Sequence, residues 1–248
     1  MSTWLEGCVV EKRHWTEALF SLRVQAPRLP FEAGQFVKLA LDVDGERVAR
    51  PFSFVNPPHA PLLEFYGVAV PEGPLSPRLA RLSAGDVIHL SPKPAGFLVL
   101  SEVPDAETLW LMSTGTGLAP FLSILGTGTP WQRYRRVVLV HAARFAPELV
   151  YGELLDAIAR ERGAERFRRV TIVSREQVPG SLFGRIPAAI GDGRLEAAAG
   201  AQLGPETSQV MLCGNPDMLR DAAAVLTMRG MKKNRRRTPG QITVESFW

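Results

Sequence analysis

The stretch Thr108–Leu125, TLWLMSTGTGLAPFLSIL, decides the fold. Its first residues, Thr108–Met112, form a short continuous apolar run, the pattern of a strand buried on both faces. The run opens into Ser113–Pro120, STGTGLAP, whose small residues let backbone N–H groups come close to a ligand, and then into a helical pattern over Ala119–Leu125. Three further apolar runs of the same kind follow at Val137–His141, Val170–Val173 and Val210–Cys213, with helical patterns at Pro147–Arg162, Leu182–Ile190 and Pro216–Arg229. Strands alternating with helices predict a parallel sheet with right-handed crossovers.

Upstream the pattern is different. Ala18–Val24 alternates, with Phe20, Leu22 and Val24 on one face and Ser21 and Arg23 on the other; Gln35–Leu41, Leu62–Val70 and Val87–Leu90 also read as strands. Turn signals stand between them at Pro27–Pro30, Asp44-Gly45, Asn56-Pro57-Pro58 and Ala84-Gly85-Asp86. Short strands at this spacing predict a sandwich or barrel. A helix starts at Ser76-Pro77, with N-cap and N1 chemistry, and runs through Leu82. The shift in pattern divides the chain into domains over residues 1–100 and 101–248, with no internal repeat.

At 248 residues the chain has room for two such domains. A net charge of +4 is mildly basic: too little to imply nucleic acid, and suited to an acidic partner or an anionic cofactor. Cys8 and Cys213 lie far apart and the four histidines have no ligand spacing, so iron–sulfur, structural zinc and a disulfide framework are not supported. The N-terminus lacks a signal-like apolar core, and Leu109–Leu125 is interrupted by Ser113, Thr114 and Thr116 as well as glycine and proline. A cytoplasmic protein outside the membrane is expected.

Arg50–Val55, RPFSFV, places residues 50, 52 and 54 on one strand face and 51, 53 and 55 on the other. An aromatic ring two positions from an arginine can serve the flat ring and the pyrophosphate of a dinucleotide such as FAD; the plain alternative is a strand with one charged edge residue. Ser76-Pro77-Arg78 offers the free N–H groups of a helix start. In Thr114–Pro120, Gly115 and Gly117 match the first two glycines of a dinucleotide fingerprint and Pro120 stands in place of the third. The strand Val137–His141 leads into Arg144, not the acidic residue of an NAD site, and Arg175 and Arg185 hold comparable positions; guanidinium groups there suit the 2′-phosphate of NADP. Cys213-Gly214 closes a buried strand where a nicotinamide ring could lie close. Arg229–Arg237 carries six cations in nine residues, read first as a solvated segment and otherwise as a phosphate clamp or a docking face.

Together these features resemble the ferredoxin/flavodoxin–NADP reductases of bacteria. The likeness covers almost the whole chain and rests on Arg50–Asn56, Leu63–Val70 (LEFYGVAV), Gly73–Leu79 (GPLSPRL), Ser113–Leu125, Val140–Arg144 (VHAAR), Val173–Glu176 (VSRE), Gly184–Pro187 (GRIP), Met211–Met218 (MLCGNPDM) and the ending ESFW. It implies an antiparallel β-barrel that binds FAD, a Rossmann-like parallel α/β domain that binds NADP, and a C-terminal tail returning to the flavin. Arg50, Phe52, Ser53 and Phe54 resemble the flavin signature, with Phe52 where the family more often has Tyr. Phe65, Tyr66, Gly67 and Val68 resemble the strand lining the flavin edge, and Leu75 and Ser76 the pyrophosphate contacts. Thr116 matches the threonine near flavin and nicotinamide. Arg144, Ser174, Arg175 and Arg185 resemble the NADP phosphate contacts, while Ser246, Phe247 and Trp248 would cover the flavin ring and adenine.

The activity implied is hydride exchange between NADPH and FAD, then one-electron transfer to ferredoxin or flavodoxin, by a monomer. Ser53, Cys213 and Glu245 would stand nearest the transfer, none as an obligatory acid or base. Two rivals carry other chemistry: an NAD(P)H-dependent flavin reductase or oxygenase electron-transfer component, and a nucleotide-sensing regulator without turnover.

Overall fold

The computed structural model describes Trp4–Ser246. The chain falls into two compact units: one holds the chain up to Val99 together with Ala119–Thr127, the other Leu100–Leu118 and the chain from Gly128 onward.

In the first unit six strands, β1 (Leu5–His14), β2 (Leu19–Gln25), β3 (Phe36–Val43), β4 (Glu46–Ser53), β5 (Leu63–Val68) and β6 (Val87–Leu90), form a sheet in the order β4-β3-β6-β1-β2-β5. Every neighbouring pair is antiparallel. Just beyond β4 the chain meets the opposite edge: Phe54 bridges Phe65 of β5, and the Val55 N–H donates to the Glu64 carbonyl at 2.8 Å. The sheet thus curls into the expected barrel, around a core that includes Phe20, Leu22, Leu39, Phe65, Ile88 and Leu90. Helix α1 (Ser76–Leu79) follows β5, and α2 (Ala119–Leu125) clusters with this unit. The Ser123 hydroxyl donates to the Asn56 carbonyl at 2.7 Å, which pins the turn that leaves β4.

Two strands of the barrel lack the expected alternation. In β1 the register slips between Val9 and Glu11, and Gly7 sits where any Cβ would come within 2.8 Å of Val24 and 2.9 Å of Leu90. A bulge and a forced glycine hide a strand from its period. Strand β4 is an edge strand carrying Glu46, Arg47, Arg50 and Pro51, the composition edges use to resist pairing.

The second unit is a parallel sheet of β7 (Thr108–Thr114), β8 (Arg136–Ala143), β9 (Phe167–Val173), β10 (Leu182–Phe183), β11 (Ser208–Cys213) and β12 (Ile242–Glu245), in the order β10-β9-β8-β7-β11-β12. Its helices are α3 (Thr129–Arg133), α4 (Gly152–Arg162), α5 (Ile186–Gly191), α6 (Arg194–Ala199) and α7 (Pro216–Met228). One face of the sheet packs Met112, Val140, Ile172 and Leu212 against Ile190 of α5, Leu195 of α6 and Leu226 of α7. From β7 the chain winds outward to β8, β9 and β10, then returns to the other side for β11. The strand order therefore reverses between β7 and β11, and the carboxyl ends at such a switch point are where open α/β sheets bind ligands.

Two helix expectations are corrected. The segment Pro147–Arg162 is not one helix: a short 3-10 turn spans Ala146–Glu148, Tyr151 adopts φ 59°, and α4 begins only at Gly152. Likewise Leu182 and Phe183 are β10, paired with Ile172 and Val173, and Gly184 at φ 119° reverses the chain before α5.

Candidate functional site

In the barrel unit, exposure falls steadily along the flavin-like run. Arg50 is exposed, with its guanidinium donating to the Ala49 carbonyl at 2.7 Å; Phe52 is half-buried; Phe54 is fully buried, stacked on Phe31 with ring centroids 3.8 Å apart. Phe54 and Phe65 belong to the core cluster, where their side chains pack the interior of the barrel. The strand ends at Ser53 and closure turns the chain inward. Tyr66 is buried and Val68 half-buried. Gly67 has a clear purpose: a Cβ there would lie 2.9 Å from Phe20 and 3.0 Å from Phe52, so its bareness lets Phe52 settle over β5. Ser53 Oγ is buried and has no protein partner. A buried hydroxyl rarely goes unpaired in a folded protein, so this atom fits a hydrogen bond to a ligand such as FAD.

Ser76 does not cap α1. Its hydroxyl accepts from the Val70 N–H at 3.0 Å, and the cap position falls on Leu75, whose side chain is buried and whose carbonyl accepts from Arg78 and Leu79. The Gly73–Ser76 turn is thereby folded back onto the end of β5.

At the switch point of the second unit, backbone takes over from side chains. The β7 strand ends in a 3-10 turn, Gly115–Leu118, that carries the half-buried Thr116. A Cβ on Gly117 would lie 2.4 Å from the Cys213 carbonyl, and one on Gly214 (φ 134°) would lie 2.2 Å from Thr114 Oγ1. Thr114 Oγ1 in turn accepts from the Asn215 N–H at 2.8 Å, and Asn215 caps α7 through the N–H groups of Asp217 and Met218. The two strand ends are locked together, forming a floor. Cys213 is fully buried, and both burial and the neighbouring Glu245 carboxylate hold its thiol well above the usual range, so it stays protonated at neutral pH. Glu245, half-buried on β12, is in register with Cys213. Ser246 is exposed; Phe247 and Trp248 lie outside the described residues.

Arg144, Arg175 and Arg185 follow β8, β9 and β10, three adjacent strands, and all are exposed. Several arginines elsewhere are engaged: Arg133 on Asp105, Arg136 on Glu165, Arg169 on Asp156, Arg229 on Glu196. None of the ion pairs formed among the described residues uses the three at the strand ends. Adjacent unpaired guanidinium groups are what a dianionic phosphate requires. Ser174 donates through its N–H and hydroxyl to the Ala143 carbonyl at 3.1 and 3.3 Å, so it joins the two loops.

The basic segment Arg229–Arg237 divides. Arg229 is structural, donating to the Glu196 carboxylate and the Leu203 and Ile190 carbonyls. Buried Asn234 then pins the loop, donating to the Glu102 carbonyl at 2.7 Å and to Thr243 at 3.0 Å, while Lys232, Lys233, Arg235, Arg236 and Arg237 are exposed. Three features of this unit have no strong sequence signal: the Gly214–Thr114 contact, the acceptance of the Arg144 and Ala146 N–H groups by Glu148 and Glu176, and the burial of His141. Burial, with Arg169 adding to it, lowers the pKa of His141 to about 4. No helix among the described residues is long and apolar enough to cross a membrane.

A curled antiparallel sheet with an orphaned hydroxyl, and a parallel switch-point sheet with a free arginine trio, define a nicotinamide-nucleotide oxidoreductase of two units. Residues 111–224 accordingly match the oxidoreductase NAD-binding domain family. The chain is 53% identical over 249 residues to the flavodoxin/ferredoxin–NADP reductase of Shigella flexneri and 52% identical to that of Escherichia coli K12, in each case covering 100% of both chains. A solved ferredoxin NADP+ reductase from Neisseria gonorrhoeae, with bound FAD and NADP, superposes with a TM-score of 0.94 at 33% identity, covering 100% of both chains. The chain belongs to the flavodoxin/ferredoxin–NADP reductase family.

Proposed function

We propose that this chain catalyses hydride exchange between NADPH and FAD and passes the electrons singly to a flavodoxin or ferredoxin. The observation that carries the reading is the trio Arg144, Arg175 and Arg185, exposed at the ends of three adjacent strands and in no ion pair among the described residues. A 2′-phosphate distinguishes NADP from NAD, and three cations at the ends of adjacent strands suit such an anion.

The barrel residues fit FAD. Ser53 Oγ lacks a protein partner, Phe52 lies over Gly67 with one side half-exposed, and Arg50 stands exposed on the same strand face. FAD supplies, when bound, the conversion between two-electron and one-electron chemistry. The chain's residues supply position and charge. Ser53 offers a hydroxyl to the ring, Thr116 and the Gly117–Cys213 floor seat the nicotinamide, and Leu75 and Ser76 offer backbone and hydroxyl to the pyrophosphate. Cys213 acts as a small neutral wall, since its thiol does not ionise near pH 7. Glu245 places a carboxylate beside that wall and acts through its charge. Arg144, Ser174, Arg175 and Arg185 hold the phosphate of the adenosine. The chain works as a monomer in the cytoplasm, where its free Cys8 and Cys213 stay reduced.

Rapid mixing of the FAD-loaded protein with NADPH or NADH, then with flavodoxin or ferredoxin, tests this. NADPH should reduce the protein far faster than NADH, and the carrier should then be reduced. Equal rates with NADH, or reduction of free flavin but of neither carrier, would defeat it.

A further inference from the structure

The β8–β9 ladder does not stop at its last strand pair, Ala143 with Val173. Ser174 continues it through its N–H to the Ala143 carbonyl at 3.1 Å, and the Arg175 N–H follows, reaching the Arg144 carbonyl at 3.0 Å. One position on, a side chain replaces the backbone: Glu176 Oε1 accepts from the Ala146 N–H at 2.6 Å. From the other side Glu148 Oε2 accepts from the Arg144 N–H at 2.8 Å and from Phe145 at 3.4 Å. Two carboxylates therefore stand among unpaired arginines, yet both bind backbone N–H groups and neither is in an ion pair among the described residues.

This arrangement is unexpected on electrostatic grounds. A carboxylate beside a phosphate site opposes the anion it should welcome, and a loop needing only its own stability could use a neutral acceptor. What Glu176 does is fasten the far side of the Arg144 turn to the β9 loop. The Arg144 and Arg175 backbones are then joined on both sides, so the two side chains start from a fixed backbone spacing before a ligand arrives. Preorganised donors recognise a phosphate better than mobile ones because less ordering remains to be done on binding.

We infer that Glu176 is a positioning residue for coenzyme choice: by holding the Ala146 N–H it sets the spacing of Arg144 and Arg175, and so the preference for NADPH over NADH. This rests on the reading of those arginines as the 2′-phosphate clamp.

Glu176→Gln keeps an acceptor for the Ala146 N–H and removes the charge, whereas Glu176→Ala removes both. Steady-state rates of the FAD-loaded variants with NADPH and NADH, together with binding of adenosine 2′-monophosphate, separate the two effects. Glu176→Ala should raise KM for NADPH roughly three- to tenfold, the worth of one such hydrogen bond. Its kcat at saturation and its NADH constants should stay unchanged, and adenosine 2′-monophosphate should weaken in parallel. Glu176→Gln should bind NADPH as tightly as the parent or more tightly. The inference is overturned if Glu176→Ala leaves KM for NADPH unchanged or lower, or if Glu176→Gln loses as much as Glu176→Ala. Arg175→Ala tells the failures apart. If it lowers the NADPH preference while Glu176→Ala does not, only the positioning role falls. If it leaves the preference intact, the clamp itself falls, and the inference with it.

Discussion

The barrel unit and the parallel unit make ligand sites by opposite means. In the barrel the candidate residues stand on strands, Arg50, Phe52 and Ser53 on β4 and Gly67 on β5, and what a ligand would meet is side chains set by alternation. In the parallel unit they stand at or past the strand ends, and the site's floor is glycine backbone close against a neighbouring strand end, Gly117 on the Cys213 carbonyl and Gly214 on Thr114. A strand site should therefore tolerate substitution by side-chain adjustment. A switch-point site should tolerate changes of charge at its rim but none in its floor.

The largest effect expected is at that rim. Replacing Arg144 and Arg185 together with Ala should lower kcat/KM for NADPH by about a hundredfold or more, since each lost charge-assisted contact is worth roughly 1.5–3 kcal/mol. The NADH value should move little; an equal fall for both coenzymes would show that the arginines hold the fold and not the phosphate.

The floor comes next. Gly214→Ala combines strain at φ 134° with contacts of 2.2, 2.7 and 2.9 Å, all to Thr114, and should destabilise the parallel unit by about 4 kcal/mol. Gly67→Ala in the barrel meets only the ring atoms of Phe20 and Phe52. It should lose about 1 kcal/mol but release FAD faster. Thermal melts of both variants, with and without FAD, would break the contrast if the two losses were equal.

The largest pH dependence expected lies in the parallel unit. His141 is neutral when folded, with its pKa lowered from 6.5 to about 4 by burial. The unfolded chain binds the proton first, so stability is full above about pH 6.5 and is lost as pH falls toward 4, by about 2 kcal/mol at pH 5. Urea midpoints should follow this curve in the parent protein, and His141→Gln should flatten it. A midpoint that does not fall between pH 7 and 5 would contradict the assignment.

The smallest effect is at Phe52. A hydroxyl added by Phe52→Tyr should slow FAD release by a few-fold, about one hydrogen bond, and leave coenzyme choice unaltered.

Legibility in the sequence followed the same divide. The four central strands of the parallel sheet were plain because burial on both faces writes an unbroken apolar run. The arginines were plain because each sits just past a strand or beside a glycine. β1 was not, since a bulge and Gly7 erase alternation, and of β4 only the end from Arg50 was legible, because the polar residues before it are those of an edge. β12 was missed too: Ile242–Glu245 is short, and only its pairing with β11 makes it a strand. The 3-10 turn before α4 read as helix because Tyr151 is a residue whose left-handed conformation nothing in the local sequence announces. Glycines 214 and 117 were visible as residues, but the carbonyl and hydroxyl that forbid a side chain there come from a strand about a hundred positions away in the sequence.

One measurement bears most directly on the central claim that each unit holds its own half of the chemistry. The purified protein is saturated with FAD, freed of excess, and given NADPH in the absence of oxygen. The account predicts that it emerges yellow and that NADPH then bleaches it, with NADH far slower. A protein that keeps no FAD, or one that stays yellow in NADPH, would contradict it.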